Sequence, residues 1–239
     1  MTGLATLLVL ADGRLPAGGH AHSGGLEAAV SSGRLRDLAG LSGFLRGRLA
    51  TTGRITAAFA AAACVAARTV RAADADADAD ADAGHDDALD RHRLDALDEG
   101  LDARTPSPAL RRASRVQGRA LLRAGRAIWS VDPAQRDRHH PVALGIVAAA
   151  AGLPPAEAAV AGAYGTVSGP ASAAVRLLGL DPYGVHSLLA ELAGECDRLA
   201  ALAAARAGDP IDLLPADSAP LLEIGAEVHA NWEVRLFAS

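Results

Sequence analysis

Residues 55–71 constrain the fold more than any other stretch, because apolar side chains occupy nearly every position there. Phe59, Cys64 and Val65 lie among alanines, without the alternation of apolar and polar residues that is typical of a strand. Alanine has the highest helix propensity, and a helix that is apolar on all sides is packed on several sides. The sequence therefore predicts a central core helix with other helices around it.

The rest of the chain has the same bias. Half of its 239 residues are apolar, yet only 3% are aromatic, so the core must consist of Ala, Leu and Val. Strands favour β-branched and aromatic residues, and alternating runs of these are absent from the sequence. A chain of this length can bury one substantial core. We therefore predict an all-α fold, a single-domain bundle of roughly ten helices over residues 1–239.

Helix boundaries follow from capping residues. Asp37, Ser107 and Asp181 are predicted N-caps, the last two because a proline follows at the first helical position. The helix that begins at Pro155 is predicted to break or bend at Gly169-Pro170, since proline removes a backbone donor. The helix that follows Asp37 is expected to end near Gly53.

Residues 74–86 are predicted to be a flexible insertion in this domain. Asp74 to Ala83 repeats Asp-Ala five times. A run of like charge with no side chain larger than a methyl group to bury cannot compensate the entropy cost of ordering.

Residues 12–25, DGRLPAGGHAHSGG, form a loop between two predicted helices, here called the glycine elbow. We expect Gly18 and Gly19 to adopt a backbone conformation, or a close packing, that excludes a Cβ. Ser23 is predicted to cap the second helix. Glu27 lies in its first turn, where an acid suits the positive end of the helix dipole.

Several functional classes are disfavoured by the sequence. It contains no GxxxxGK[ST], HExxH or GxSxG motif and no Cys/His cluster with zinc spacing, so an enzyme is disfavoured. A net charge of −5 argues against nucleic-acid binding. The two cysteines fit a reduced cytoplasmic setting, and the longest uncharged apolar run, residues 55–67, is too short to span a membrane.

Motifs along most of the chain resemble the urease accessory protein F family. The N-terminal signature of that family is matched by Leu10-Ala11-Asp12, Leu15-Pro16, Gly18-Gly19, His22-Ser23 and Gly25-Leu26-Glu27. Further matches are Arg111, Ser114, Gly118, His139, Pro141, Gly145, residues 173–177, residues 221–224, His229 and the C-terminal residues 235–239. The chain departs from the family at His20, Gly24 and Gly179-Leu180-Asp181-Pro182.

The resemblance implies a urease maturation chaperone without catalytic activity. Such a protein forms a complex with a urease accessory protein of the D/H type and a nickel-binding GTPase of the G type, and promotes GTP-dependent insertion of nickel into apo-urease. It implies no tightly bound cofactor, only nickel handled transiently by the complex. Both the resemblance and the alanine-rich helical surface predict a homodimer in the cytoplasm, without nucleic acid or membrane as a partner.

The candidate partner-binding residues lie in the glycine elbow, in two helices and in the C-terminal tail, which comprises residues 235–239. They are His22, Ser23, Glu27, Arg176, Arg235, Leu236 and Phe237. We expect the tail to be loose in the free protein and to order on the accessory partner, because chain ends usually fray and because aromatic and Arg side chains dominate interface energies. Deletion of residues 236–239 is then expected to leave the fold intact.

His20 and His22 are candidates for a transient nickel contact, although no third ligand lies nearby in sequence and no tight metal site is expected. The alternative hypothesis is a helical metal-dependent or acid-base enzyme that uses His20, His22 and Glu27. A plain helical scaffold is the third hypothesis.

Two further patterns are expected to be structural or solvated. The adjacent histidines His139-His140 are favoured as structural residues over metal ligands. A basic stripe is expected to be a solvated helix face, with docking of an acidic partner as the alternative; it consists of Arg112, Arg115, Arg119, Arg123 and Arg126.

Overall fold

The computed structural model describes residues 3–76 and 84–238, and for residues 72–76 and 84–90 it describes the backbone alone. These ranges contain ten α-helices and no strand, which confirms the all-α prediction. The helices are α1 (Leu4–Ala11), α2 (Leu26–Ser31), α3 (Leu38–Arg48), α4 (Arg54–Asp76), α5 (Gly84–Arg104), α6 (Pro108–Trp129), α7 (His140–Ala150), α8 (Pro155–Leu178), α9 (Pro182–Ala205) and α10 (Pro220–Ala230).

Helix α4 is the central helix that the sequence predicts. Its residues 57–64 are buried, and they contribute to two apolar clusters. One cluster lies between α4, α5, α6 and α7, and the other between α3, α4, α8 and α9. Helix α7 crosses α4 at Gly145, where a Cβ would lie 2.7 Å from the backbone nitrogen of Cys64. Alanine and glycine thus bring the helix backbones close together in a core that has few large side chains.

The helix that begins after Asp37 does not end at Gly53. A π-helical turn, Leu49–Gly53, connects α3 to α4, so that the helical backbone continues through this point. The expectation of a helix end was wrong: Gly53 is buried between Leu49 and Thr166, and a Cβ there would lie 3.0 Å from Cδ1 of Leu49, so this glycine serves close packing. Turns of π-helix inside α-helices are frequent at functional sites.

The long helical stretch Leu38–Arg71 is apolar enough to cross a membrane by length and composition alone, with a mean hydropathy of 1.4 in its most apolar window. Of that window, 67% is buried inside the protein. The stretch therefore has the character of a core helix.

Helix α8 is continuous through Pro170, so of the predicted break or bend the break is wrong. Proline has no N–H, so the carbonyl of Thr166, four residues earlier, loses its helical donor. The Nε of Arg48 donates to this carbonyl at 2.9 Å instead. A donor from another helix thus satisfies the carbonyl, which local sequence cannot reveal.

The predicted caps of three helices are confirmed. The side chain of Asp37 accepts from the N–H of Gly40, that of Ser107 from Leu110, and that of Asp181 from Tyr183 and Gly184.

At α2 the N-cap position is taken by Gly25, with a φ of 88°, rather than by Ser23. Ser23 is fully buried, and its Oγ accepts from the backbone N–H of Glu27 at 3.2 Å. The predicted hydrogen bond to the first turn is present, but the helix begins two residues later than a Ser23 cap would place it.

His139 has the structural role that the sequence favours. Its side chain is 1% exposed, its backbone N–H donates to Asp98 at 2.7 Å, and its Nε2 lies 2.9 Å from Asp102. Arg115 donates to both of these carboxylates. This network joins α5, α6 and the start of α7.

The predicted Asp-Ala insertion falls largely outside the described residues, since residues 77–83 are not described. Helix α4 extends to Asp76 and α5 begins at Gly84, so both flanks of the segment are helical. Its flexibility stays a prediction.

Candidate partner-binding site

The C-terminal tail is held by the buried side chain of Glu27. The carboxylate of Glu27 accepts from the backbone N–H groups of Leu236, at 2.9 Å, and Phe237, at 3.1 Å. It also lies 2.8 Å from Nε2 of His229 on α10. Helix α2, helix α10 and the tail, which are far apart in sequence, therefore meet at one carboxylate.

The environment of Glu27 stabilises its charged form. Burial by itself raises the pKa of this carboxyl group, but hydrogen bonds from Leu236, His229 and Phe237 outweigh burial and leave the pKa below its ordinary value. The ionised carboxylate of Glu27, which accepts several N–H hydrogen bonds, is therefore the form that holds the tail.

Two further contacts join the tail to the glycine elbow. The N–H of Ala238 donates to the carbonyl of Ala21 at 2.7 Å. The guanidinium of Arg176 lies over the ring of Phe237, 4.6 Å from its centre, and donates to the carbonyl of His20. Arg176, which lies on α8, thus contacts both the tail and the glycine elbow.

The expectation of a loose tail is wrong for the free chain. Phe237 is only 6% exposed and belongs to the apolar cluster with α3, α4, α8 and α9. The tail sequence alone could not show this docking, because the groups around Phe237 come from distant segments, among them Glu27 and Arg176. Leu236 points the other way and is 76% exposed.

The candidate partner-binding residues therefore divide by accessibility. Ser23, Glu27 and Phe237 are buried, so their side chains are not at the surface; Glu27 and Phe237 serve the docking of the tail. Arg176, Arg235 and Leu236 are exposed, and His22 is half-buried. A partner-binding role for any of the seven stays a prediction.

In the glycine elbow, only one of the two singled-out glycines needs a special conformation. Gly18 has a φ of 74°, in the left-handed region that favours glycine. Gly19 does not, and a Cβ at Gly19 would meet nothing within 4 Å. The expectation for Gly19 is therefore wrong, and Gly24 and Gly25 are the other left-handed residues of the elbow.

The two histidines of the elbow differ in environment. His20 is exposed, whereas burial lowers the pKa of the half-buried His22, with a further contribution from the charge of His20. Burial also lowers the pKa of His140 to about 4, with a contribution from the neighbouring His22. Within the described residues no group of three His, Cys, Asp or Glu side chains could hold a metal ion.

The acid-base alternative loses one of its three residues. The carboxylate of Glu27 is fully engaged by His229 and the tail, and it is 5% exposed. It is not available to a substrate alongside His20 and His22.

Three of the five arginines in the basic stripe on α6 contact other groups of the protein. Arg115 binds Asp98 and Asp102, Arg119 pairs with Asp137, and Arg126 donates to the carbonyl of Gln135. Arg112, Arg119 and Arg123 are exposed, as expected of a solvated helix face, and only Arg115 and Arg119 of the stripe pair with acids among the described residues.

One exposed apolar surface was missed in the sequence. Leu221, Ile224 and Val228 on α10 are 65%, 61% and 54% exposed, and Val234 and Leu236 follow in the segment after the helix. We call these five residues the α10 surface. The spacing i, i+3, i+7 was a detectable signal, but it predicts an inward face as readily as an outward one. Large apolar residues that recur in exposed positions of one helix are typical of interaction sites.

Comparisons with known proteins place the chain in a family. Residues 35–193 match the family model described as UreF. A protein of Mycobacterium sp. (strain JLS), named urease accessory protein UreF, is 44% identical over 242 residues, which cover 100% of both chains. Proteins with the same name from Mycobacterium marinum and Mycobacterium tuberculosis (strain H37Rv) are 42% and 39% identical, again over 100% of both chains.

The family motifs recognised in the sequence coincide with residues that build the site. Glu27, His229 and Phe237, which are distant in sequence, are in direct contact. With a family model that matches most of its length and relatives that match all of it, the chain belongs to the UreF family of urease accessory proteins.

Proposed function

We propose that this protein is a non-catalytic adaptor in urease maturation. It acts in the cytoplasm as a homodimer, in a complex with a urease accessory protein of the D/H type and a nickel-binding GTPase of the G type. This complex promotes the GTP-dependent insertion of nickel into apo-urease. Nickel is its cargo, with His20 and His22 as candidates for a transient contact.

The α10 surface is the observation that carries this proposal. It consists of five exposed apolar side chains, and the exposed Arg235 lies between two of them, Val234 and Leu236, in the chain. Apolar residues of this kind lose water when a partner covers them, and an adjacent Arg adds directional hydrogen bonds. We propose that this surface binds the accessory partner of the D/H type.

The docked tail gives the surface a defined shape. Glu27 fixes the backbone at Leu236 and Phe237, so that Leu236 projects outward while Phe237 is buried. A surface fixed before binding loses less conformational entropy on complex formation than a disordered tail. The tail thus contributes to binding by being ordered in advance.

The test is the substitution Ile224→Asp, with Leu202→Asp on α9 as the control. Ile224 and Leu202 both lie on helices, and they are 61% and 53% exposed. We expect Ile224→Asp to weaken binding of the accessory partner at least about tenfold, because a charge in a desolvated apolar interface is costly. Leu202→Asp is expected to leave binding unchanged. Isothermal titration calorimetry measures both affinities.

Thermal melts of the two variants separate binding from folding. An Ile224→Asp protein that melts like the wild type and binds the partner equally well would contradict the assignment of the α10 surface. Turnover of a substrate by the purified protein would contradict the non-catalytic role.

A further inference from the structure

Three residues on one face of the α3–α4 helix line an open cleft of ≈500 Å³ beneath the glycine elbow. Arg48, Thr52 and Thr56 follow one another at intervals of four residues across the π-helical turn. Side chains at this spacing are neighbours on a helix surface. We call these three residues the donor row, because each carries a hydrogen-bond donor.

Arg48 is a cation without a counter-charge. Its Nε donates to the carbonyl of Thr166 and its Nη1 to the carbonyl of Gly24, and it forms no ion pair with any described residue. Burial lowers its pKa to about 10. Its third nitrogen, Nη2, has no hydrogen-bond acceptor among the described residues. Arg48 is half-buried, and among the described residues only carbonyl groups accept its hydrogen bonds, so no anion balances its charge there.

Thr56 supplies an independent observation. It is 6% exposed and lines the cleft, yet its hydroxyl makes no hydrogen bond in the described part of the chain. The hydroxyls of Thr51, Thr69 and Thr166 each donate to a carbonyl of the preceding turn. Thr52, like Thr56, lines the cleft without such a bond. Among the described residues neither hydroxyl has a partner, so both are available to donate to a ligand in the cleft.

Three acidic residues line the same cleft, but each is engaged with another group. Asp12 pairs with Arg14, Asp217 pairs with Arg54, and Glu223 accepts from the N–H of Ser107. None of them forms an ion pair with Arg48 within the described residues. The charge of Arg48 thus has no ion-pair partner among the described acids of the cleft, although Oδ2 of Asp217 is buried there without a hydrogen-bond partner.

We propose that the donor row binds a carboxylate or a similar small oxyanion. The guanidinium of Arg48 provides the charge and a charge-assisted hydrogen bond, and the hydroxyls of Thr52 and Thr56 donate to the remaining oxygen atoms. The carboxylate comes either from a free small acid or from an acidic side chain of a protein partner. This site is separate from the α10 surface and does not depend on the proposed function.

The first test needs no variant. The NMR signal of the Arg48 Nε–H group is followed while sodium acetate, and then inorganic phosphate, is titrated against sodium chloride at equal ionic strength. We expect a saturable shift of this signal, whereas the signal of Arg46, which is exposed on the same helix and pairs with Glu191, is expected to stay unchanged. A shift of both signals in parallel, or a shift without saturation, would mean nonspecific screening and would overturn a site for the free anion.

Variants then test each donor. Thr56→Val removes the hydroxyl and keeps the volume, and Arg48→Gln removes the charge. Each is expected to weaken anion binding at least about tenfold, as for loss of a hydrogen bond to a charged group. Thr51→Val is the matched control: it lies in the same π-helical turn, but its hydroxyl donates to Gly47 and it does not line the cleft. Equal binding by Thr56→Val and Thr51→Val would contradict the proposal.

The two sources are distinguished by the same NMR signal. Saturation with acetate or phosphate assigns the site to a free anion. If the Arg48 signal shifts only when the purified accessory protein or the GTPase is added, and Arg48→Gln weakens that complex, the carboxylate belongs to the protein partner. If the signal responds to neither the anions nor the proteins, the donor row is not a binding site.

Discussion

Replacing Gly118 with alanine is expected to lower the free energy of unfolding by more than about 3 kcal/mol, at the upper end of what overpacking costs. A Cβ at this position of α6 would overlap the carbonyl oxygen of Arg138 and lie 3.1 Å from the carbonyl carbon of His139. Both groups are backbone, and His139 is anchored by Asp98 and Asp102, so the chain cannot move aside without breaking that network.

The control for this prediction is the same substitution at Gly47. Gly47 is a helical residue whose Cβ would meet nothing within 4 Å. Alanine there is expected to stabilise the protein by up to about 1 kcal/mol, the difference in helix propensity. Urea denaturation of both variants measures the two free energies. Effects of equal sign would show that α6 and the segment before α7 are not in close contact.

The second large effect is expected for Glu27→Gln, which should lower the free energy of unfolding by about 3 kcal/mol, a value typical for breaking a buried hydrogen-bonded charge. The amide cannot accept three N–H groups as the carboxylate does, and its own NH₂ group would face a donor. Trp232 packs against His229, with ring centres 4.8 Å apart, so its fluorescence reports on the tail.

The matched control is Glu233→Gln, since Glu233 is exposed in the segment that leads to the tail. It is expected to change stability by less than about 0.5 kcal/mol, as is usual for surface positions. Deleting residues 236–239 is expected to destabilise the protein as well, because it removes the buried Phe237. If that deletion left the thermal midpoint unchanged, the tail would not be docked in solution.

The contribution of Glu27 depends on pH in a defined direction. Its pKa in the folded protein lies below its ordinary value of 4.5, so its ionised form stabilises the fold above pH 4.5. This contribution is lost as the pH falls from 4.5 through the lowered pKa of the folded state. The stability difference between the wild type and Glu27→Gln is therefore expected to shrink over that interval, as denaturation at several pH values would show.

Local signals in the sequence determined the helices and several of their ends. The apolar pattern of residues 55–71 predicted the central helix, and Asp37, Ser107 and Asp181 cap helices where the sequence placed them. Such signals are reliable because a cap bonds to backbone groups within three residues of itself. The family motifs predicted which distant residues matter, though not what each one contacts.

Tertiary structure decided the features that depend on partners far along the chain. Pro170 does not break α8, because Arg48, more than 100 residues away, donates to the carbonyl that the proline leaves free. The tail is docked because Glu27, about 200 residues before it, accepts its N–H groups. The amphipathic pattern of α10 could not tell that its apolar residues face outward, since periodicity defines a face but the packing of the other helices decides which face is buried.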